Sequence, residues 1–290
     1  MKDSTEQLFG GSWTKKKLEI LKKYLESYNT ALKKQPFKRV YIDAFAGTGY
    51  RQKRSHPYDI FAIFEELKKD ESEKFLKGSA KLALEVNPSF HKYIFIETDG
   101  GKIAELKKLK DQHPEKTIEI IQSDANGFIQ NYCEKEDWAN NRAVLFLDPF
   151  ATEVEWLSIE SVAKTRSIDV WILFPLMAVN RLLARDPEKI FYEPLNRIFG
   201  TKEWFERFYN TRTLNVIFGK SEVVFKDCDF QRIGRFYKER LKSIFTGVAE
   251  QPKVFYNSRQ SPLFQLFFAA GNPKGAPIAI KIAEHLMRNI

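Results

Sequence analysis

Four acidic residues each stand at or beside the end of a short apolar run, where an acid can bind a small ligand. Because the carboxyl ends of parallel strands share one edge of a sheet, these carboxylates are expected to lie together along that edge. There they can accept hydrogen bonds from hydroxyl groups or pair with an amine. The alternative is that Asp simply favours strand ends and turns. The four acids are Asp43, Glu97, Asp124 and Asp148.

A small-residue turn, 46–49, follows the first of these acids and predicts a close approach between backbone and ligand, because glycine has no Cβ. A dinucleotide site would continue this turn as G-x-G-x-x-G. Here Gly47 and Gly49 are followed by Tyr50, Arg51 and Gln52, so the third glycine is missing. The missing glycine disfavours NAD. Asp43 lies just before the turn, where its carboxylate can meet a cation or an amine, so the site suits a nucleoside that carries an amino acid better than a pyrophosphate.

Five apolar runs alternate with helical patterns, which indicates a parallel sheet built from βαβ units. Each run is short, rich in Val, Ile or Phe and nearly continuous, as in strands that are covered on both faces. Two further runs are joined by SRQSP, which is too short for a crossover and predicts an antiparallel hairpin. The predicted strands are 39–45, 93–98, 117–123, 143–150 and 168–175, then 252–257 and 263–271.

The remaining segments fit one domain, 1–290, with three additions. Residues 1–38 are predicted as a basic N-terminal extension that contains a helix with lysines opposite its apolar face. Residues 50–77 are a charged insertion after the first strand, and 186–225 are an aromatic-rich insertion. The helix is 13–34, and its apolar positions are Leu18, Leu21, Leu25, Tyr28 and Leu32.

The chain is basic, with a formal net charge of +9 and a pI of about 9.3. Residues 1–40 hold ten Lys and Arg against four Asp and Glu, so much of the excess lies there. Such a charge favours a polyanionic partner such as nucleic acid, although a solvated helix face is the alternative. The residues expected to contact phosphate groups are Lys15, Lys16, Arg51, Lys53 and Arg54.

The two cysteines, Cys133 and Cys228, are too few for a disulfide framework and cannot by themselves complete a zinc or iron–sulfur site. The N-terminus lacks the order of a signal peptide, and no apolar run approaches the length of a membrane span. These features predict a protein of the cytoplasm.

Several motifs resemble those of known methyltransferases. YIDAFAGTG, FIETD, SDAN and LDPF resemble motifs I to IV of the class I S-adenosylmethionine-dependent enzymes. More closely, the chain resembles the three-Cys-motif partner proteins over nearly its whole length, through YIDAFAGTG, GSAKLALE, FLDPFATEVEW, IDVWILFP and LFFAAGNPKGAPIAIKIA. The resemblance implies an α/β, Rossmann-like class I methyltransferase sheet of seven mostly parallel strands, with a terminal antiparallel hairpin and helices on both faces.

The resemblance also implies that S-adenosyl-L-methionine is the cofactor. Asp43 would meet its amine, the glycine turn would pass beside its methionine moiety, Glu97 would meet the ribose and Asp124 the adenine. The implied cofactor-binding residues are Asp43, Phe45, Gly47, Gly49, Glu97, Asp124 and Ala125.

The resemblance in motif IV implies which chemical group is methylated. Families that methylate exocyclic amines carry D-P-P-Y or N-P-P-Y, whose acid or amide accepts hydrogen bonds from the target amine while the aromatic stacks on the base. Asp148, Pro149 and Phe150 resemble the D-P-F version of tRNA guanine-N2 dimethyltransferases and are the implied catalytic residues. Phe174 and Pro175 at the end of the fifth run are candidates for an acceptor pocket, as is Trp171, which core packing explains equally well.

The implied function is methyl transfer to an exocyclic amino group of a nucleic-acid base. The implied partner is a radical-SAM-type protein whose three cysteines hold an iron–sulfur cluster. Two alternatives stay open. One is a non-catalytic specificity subunit of that partner, which binds the cofactor or nucleic acid, and the other is a methyltransferase for a small molecule.

Overall fold

The structure is a computed structural model that describes residues 11–45, 78–149, 152–216, 219–257 and 259–290. Five parallel strands form the centre of its main sheet. Four of them are almost wholly buried, because helices cover both faces, and β3 lies at the edge. The strands are β1 (Lys38–Asp43), β2 (Lys92–Glu97), β3 (Ile118–Gln122), β4 (Asn141–Leu147) and β5 (Ile168–Phe174).

Two strands form a separate antiparallel hairpin, β6 (Tyr209–Val216) and β7 (Gly219–Lys226). The last three strands rejoin the main sheet, and they are β8 (Gly247–Val248), β9 (Lys253–Tyr256) and β10 (Pro262–Ala270).

Strand β10 lies beside β5 and runs antiparallel to it, and it also pairs antiparallel with β8 and β9. The resulting strand order is β3-β2-β1-β4-β5-β10-β8, with β9 also paired to β10. The predicted α/β fold, a mostly parallel sheet with a terminal antiparallel hairpin, is confirmed. All seven predicted strands are present to within three residues at each end. The described part of the sheet has an eighth strand, β8, which at two residues is too short to produce a sequence pattern.

The described helices divide between the two faces of the sheet. Helices α1, α2, α3 and α10 pack on one face and α4, α5, α7, α8 and α9 on the other, while α6 contributes buried residues to the core on both faces. They are α1 (Gly11–Leu32), α2 (described over 78–85), α3 (Gly100–Asp111), α4 (Ala125–Lys135), α5 (Trp156–Lys164), α6 (Leu176–Leu182), α7 (Tyr192–Phe199), α8 (Trp204–Phe208), α9 (Phe230–Lys242) and α10 (Ala276–Asn289).

Helix α1 is part of the core. Six of its large side chains are buried between the sheet and α10, with Tyr24 packed on the rings of Trp171 and Phe268. Lys15 and Lys16 are exposed, as predicted, but Lys17 is only 1% exposed. The expectation that the lysines of this helix face solvent is therefore wrong for Lys17.

The predicted insertion 186–225 contains a 3₁₀ turn (Pro187–Lys189), α7, α8 and most of the β6–β7 hairpin. Its aromatic residues pack on α9, where Phe199 and Phe208 both make edge contacts with Phe236. The predicted insertion 50–77 lies outside the described residues. No helix in the described part of the chain combines the length and apolar character needed to cross a membrane.

Candidate cofactor and acceptor site

The strand register brings three of the four acids to one edge and one face of the sheet. Asp43, the last residue of β1, is opposite both Phe95 of β2 and Phe146 of β4. Glu97 and Asp148 each lie two residues beyond those partners. Because alternate residues of a strand point to the same face, the three carboxylates lie on the face that α1 covers.

Asp43 is fully buried and incompletely hydrogen-bonded. Its Oδ2 accepts a hydrogen bond of 3.4 Å from the Tyr41 hydroxyl, and Ser79 at the start of α2 also contacts the carboxylate. Its Oδ1 has no partner among the described residues. Burial, together with the nearby charge of Asp148, raises the pKa of Asp43 to about 7, although Ser79, Tyr41 and Lys17 oppose the shift.

Glu97 has one satisfied and one unsatisfied oxygen. Its Oε1 accepts hydrogen bonds from the backbone nitrogens of Thr98 and Asp99, at 2.6 and 2.8 Å, so that the side chain is held at the strand end. Its Oε2 is buried without a partner among the described residues. A buried acceptor left unpaired costs about 1–3 kcal/mol, so a ligand that donates to it gains that stabilisation.

Asp124 stands one strand further along the same edge, directly after β3. It is the N-cap of α4, and its Oδ2 accepts a 3.0 Å hydrogen bond from the backbone nitrogen of Gly127. This is the capping role that the alternative interpretation of these acids expects. Ala125, the next residue, is buried.

Asp148 forms a buried ion pair with Lys17, a residue 131 positions away in the chain. Lys17 Nζ donates to Asp148 Oδ2 at 2.8 Å, and the two side chains are 1% and 4% exposed. The ammonium group also lies 5.0 Å from the ring centre of Trp13 and 6.0 Å from that of Phe146. Removing one partner from such a pair costs about 3–5 kcal/mol, because a charge is left buried and uncompensated.

Opposing effects act on the ionisation of Asp148. Burial raises the pKa of its carboxyl group, whereas the charge and the hydrogen bond of Lys17 lower it. The net direction is upward. Lys17 is thus the described residue that favours the ionised carboxylate, through its charge and its hydrogen bond.

The role of Lys17 as the partner of Asp148 was not predicted from the sequence, where only Lys15 and Lys16 were chosen for their charge. The position of Lys17 nevertheless indicates burial. Lys17 follows Trp13 by four residues and precedes Leu21 by four, and residues at that spacing share a helix face. A lone lysine on an apolar helix face needs a buried acid as partner, and motif IV of this chain supplies one.

Pro149, the residue after Asp148, borders a shallow apolar depression. Phe174, Pro175 and Tyr237 help to line it, and the Phe174 and Tyr237 rings stack with centres 4.2 Å apart. Phe174 and Tyr237 belong to the core on the face of the sheet opposite the three carboxylates. Trp171 lies on the same face as the carboxylates, 1% exposed, against Tyr24 and Phe268, so core packing accounts for it.

Several predicted site residues lie outside the described part of the chain, and the structure gives no placement for them. Of the others, Phe45 is half-buried and packs on the core cluster that contains α4. Lys15 and Lys16 lie exposed on α1. The residues without placement are Gly47, Gly49, Arg51, Lys53, Arg54 and Phe150.

The described residues contain no group of three or more His, Cys, Asp or Glu that could hold a metal ion. Both cysteines are free thiols, Cys133 buried and Cys228 partly buried. Burial raises the pKa of the Cys133 thiol to about 12, so it stays protonated at neutral pH.

No protein-family model and no curated protein sequence matches this chain. Among solved structures, the chain is similar to protein LPL1258 from Legionella pneumophila, of family DUF519, with 11% identity, coverage of 92% of this chain and 90% of that one, and a TM-score of 0.49. It is also similar to an S-adenosylmethionine-dependent methyltransferase from Clostridium acetobutylicum, with 8% identity, coverage of 87% and 92%, and a TM-score of 0.35. For the putative methyltransferase yhhF from Escherichia coli the values are 11% identity, 71% and 86% coverage, and a TM-score of 0.29. Because these identities and TM-scores are low, the chemistry of the site is argued from its own residues.

Proposed function

We propose that this protein is an S-adenosylmethionine-dependent methyltransferase that acts on an exocyclic amino group of a nucleic-acid base. One observation carries the proposal. Two buried carboxylate oxygens without partners among the described residues, Asp43 Oδ1 and Glu97 Oε2, lie at the same edge and face of the sheet as Asp148. A buried acceptor without a hydrogen bond destabilises the fold, and a ligand that donates to it removes that cost.

The residues present fit the proposed cofactor. The ionised form of Asp43 would pair with the amine of its methionine moiety, and Glu97 Oε2 would accept from a ribose hydroxyl. Asp124 and Ala125, at the start of α4, would border the adenine, and Gly47 with Gly49 would pass beside the methionine. When bound, this cofactor supplies a methyl group on a positively charged sulfur.

Asp148 would act on the acceptor. The lone pair of an exocyclic amine is delocalised into its ring, so the amine is a weak nucleophile. A hydrogen bond from the amine N–H to Asp148 favours the pyramidal form of the nitrogen and stabilises the positive charge that develops on it. Alignment of the two reactants supplies much of the remaining rate enhancement. A base within a duplex would first have to leave the stack, and Phe150 would stack on it.

Charge on α1 supports a nucleic-acid substrate. Lys15 and Lys16 are exposed on the first turns of this helix. The next residue, Lys17, reaches the carboxylate of Asp148. Phosphate groups bound there would be close to the acceptor site, where they would position the substrate without reading its sequence. Arg51, Lys53 and Arg54 are also proposed to contact phosphate groups.

We also propose that the protein works in the cytoplasm with an iron–sulfur protein of the radical-SAM type. The support is the resemblance to three-Cys-motif partner proteins, and the cluster has to belong to the partner because two distant cysteines are too few to hold it.

A second candidate is a non-catalytic specificity subunit of that partner, which binds the cofactor or nucleic acid. The observation that favours it is the Lys17–Asp148 pair, in which one acceptor oxygen of motif IV is already occupied. The single proline of Asp148-Pro149-Phe150 also departs from the two-proline motif of amine methyltransferases.

The test combines binding with transfer. Calorimetry with S-adenosylhomocysteine should show binding by the wild-type protein. Incubation with methyl-labelled donor and tRNA, rRNA or DNA, in the presence of the iron–sulfur partner, should then label one of them. Binding without transfer would support the specificity subunit, and absence of binding would remove the methyltransferase proposal.

A further inference from the structure

We propose that Lys17 is a positioning residue that stays paired with Asp148 while the acceptor is bound and thereby restricts the acceptor to an uncharged amine. This inference rests on the proposed function, because it concerns the acceptor side of the same site. It adds a residue from outside the methyltransferase motifs and narrows the chemistry of the substrate.

The geometry of the pair argues that an acceptor does not displace Lys17. Lys17 Nζ is 2.8 Å from Asp148 Oδ2 and is almost wholly buried, with the Trp13 ring beside it. Breaking a buried pair changes an equilibrium roughly a hundredfold to several thousandfold. A hydrogen bond from a neutral amine to a carboxylate returns only about tenfold to a hundredfold. The pair is therefore the more stable arrangement, and the acceptor is left to Asp148 Oδ1.

The retained charge decides which amines fit. Within the part of the chain that the structure describes, the charged and titratable groups that face Asp148 are Lys17 from α1, and Asp43 and Tyr41 from β1. Lys17 and Asp148 together are neutral. A protonated alkylamine on Oδ1 would lie about 5 Å from the Lys17 ammonium group, where repulsion at an effective dielectric constant of about 20 weakens binding roughly a hundredfold or more. The amino group of a nucleobase is uncharged at neutral pH and escapes this penalty.

Helix α1 places its lysines in two different environments. Lys17 is buried against Asp148, whereas Lys15 and Lys16, immediately before it, are exposed. The following turns of the helix are held in the core by Ile20, Leu21 and Tyr24. The helix thus places one lysine against the acceptor carboxylate and others where phosphate groups can bind. An uncharged amine attached to a polyanion is the acceptor that satisfies both.

The first test measures the pair without any need for activity. The titration of the Asp148 carboxyl group is followed by carbon NMR in protein labelled at Asp side-chain carboxyls and assigned with Asp148→Asn. We expect Lys17→Met, which keeps the apolar stem and removes the charge, to move the Asp148 midpoint to higher pH. Lys23→Met removes an exposed lysine of the same helix that pairs with Glu19, and it should leave that midpoint in place. Equal midpoints in the two variants would overturn the proposal.

The second test measures selectivity. Binding is compared between a nucleic-acid acceptor and a lysine-containing peptide, whose side-chain amine is protonated at neutral pH, for the wild type, Lys17→Met and Lys23→Met. We expect Lys17→Met to change the ratio of the two affinities at least tenfold in favour of the peptide. In the transfer assay with nucleic acid, it should move the acidic limb of the pH–rate profile to higher pH. Lys17→Gln keeps a hydrogen-bond donor without a charge and serves if the Met variant does not fold.

The outcomes separate the two proposals. A shifted midpoint with an unchanged acceptor ratio would overturn the claim about selectivity. Absence of transfer by the wild type to any acceptor would count against both the proposed function and the restriction on the acceptor, and the NMR titration would still decide whether Lys17 positions Asp148.

Discussion

Asp43 and Asp148 lie at the carboxyl ends of neighbouring parallel strands: Asp43 is directly opposite Phe146, and Asp148 is two residues beyond Phe146, just after β4. Their backbones are therefore separated by one strand spacing of about 4.8 Å and by about 6.6 Å along the strands. Both acids are buried, and the charge of Asp148 contributes to the raised pKa of Asp43. One lysine, Lys17, faces both and lowers both pKa values.

Replacing Asp148 by Asn is expected to lower kcat by roughly a hundredfold to a thousandfold, since one acceptor that stabilises the transition state is lost. Lys17 would also lose its anionic partner, at a cost of about 3–5 kcal/mol in the free energy of unfolding. Asp169→Asn is the matched control. Asp169 is as buried as Asp148 and accepts a 2.8 Å hydrogen bond from Tyr24, but it lies at the start of β5, the other end of the sheet.

Methyl-transfer assays and thermal unfolding distinguish these variants. The Asp169 variant should lose stability and keep its kcat at a temperature where it is folded. A folded Asp148→Asn protein with wild-type kcat would remove Asp148 from the mechanism.

Replacing Glu97 by Gln is expected to weaken the binding of S-adenosylhomocysteine about tenfold to a hundredfold. The Gln oxygen can still accept from the backbone of Thr98 and Asp99, but the amide nitrogen that takes the second position cannot accept from ribose. Calorimetry measures the change, and Glu119→Gln, which affects a half-exposed acid on β3, is the control. Equal affinities for the two variants would argue against a ribose contact at Glu97.

The binding of S-adenosylhomocysteine is expected to strengthen as the pH rises from about 6 to 8, because the pKa of Asp43 is raised to about 7 and an amine pairs with its ionised form. Asp43→Asn should remove most of this dependence. Calorimetry at several pH values in buffers of different ionisation enthalpy measures both the affinity and the proton that binding releases. A wild-type affinity that stays constant over this range would contradict the assignment.

The same group affects stability. The folded protein holds the Asp43 proton up to a pH of about 7, whereas the unfolded chain releases it near a pH of about 4. Between those values the folded state binds more protons, so the contribution of Asp43 to the free energy of unfolding declines as pH rises. The difference in the free energy of unfolding between Asp43→Asn and the wild type should therefore shift in favour of the variant between pH 5 and pH 8. Urea unfolding of both proteins at the two pH values measures it.

Replacing Gly200 by Ala is expected to destabilise the protein by about 3 kcal/mol or more, from left-handed backbone strain and overpacking together. Gly200 ends α7 at a φ of 64°, and a Cβ there would lie 2.0 Å from Cδ1 of Trp156. Gly100→Ala is the control, because Gly100 has nothing within 4 Å of its Cβ position. That change should be neutral or stabilise by about 0.4–1 kcal/mol in chemical unfolding. Equal unfolding midpoints for the two variants would show that the Trp156 contact is not tight.

Replacing Lys15 and Lys16 together by Gln is expected to weaken nucleic-acid binding uniformly across sequences. Each lost phosphate contact should reduce the slope of log affinity against log salt by about 0.7–0.9. Fluorescence anisotropy over a range of salt concentrations measures this slope. If these lysines form only a solvated helix face, the slope should not change. A Lys23→Gln variant on the same helix is the control.

The sequence by itself determined the strands, helix α1 and the order in which acids follow the strands. These features depend on local patterns, such as continuous apolar runs for buried strands and the three-to-four-residue spacing of apolar side chains for α1. The short linker between β9 and β10 was enough to predict their antiparallel pairing. The roles of Asp43, Glu97, Asp124 and Asp148 as ligands and catalyst stay predictions.

Only the tertiary structure decided which acid compensates the buried charge of Lys17. Lys15, Lys16 and Lys17 are identical in type and adjacent in sequence, yet one of them is buried against Asp148, 131 residues away. A lysine can enter a protein interior only where the fold brings it a compensating acid. That pairing depends on where α1 crosses the sheet, and no local pattern encodes the crossing.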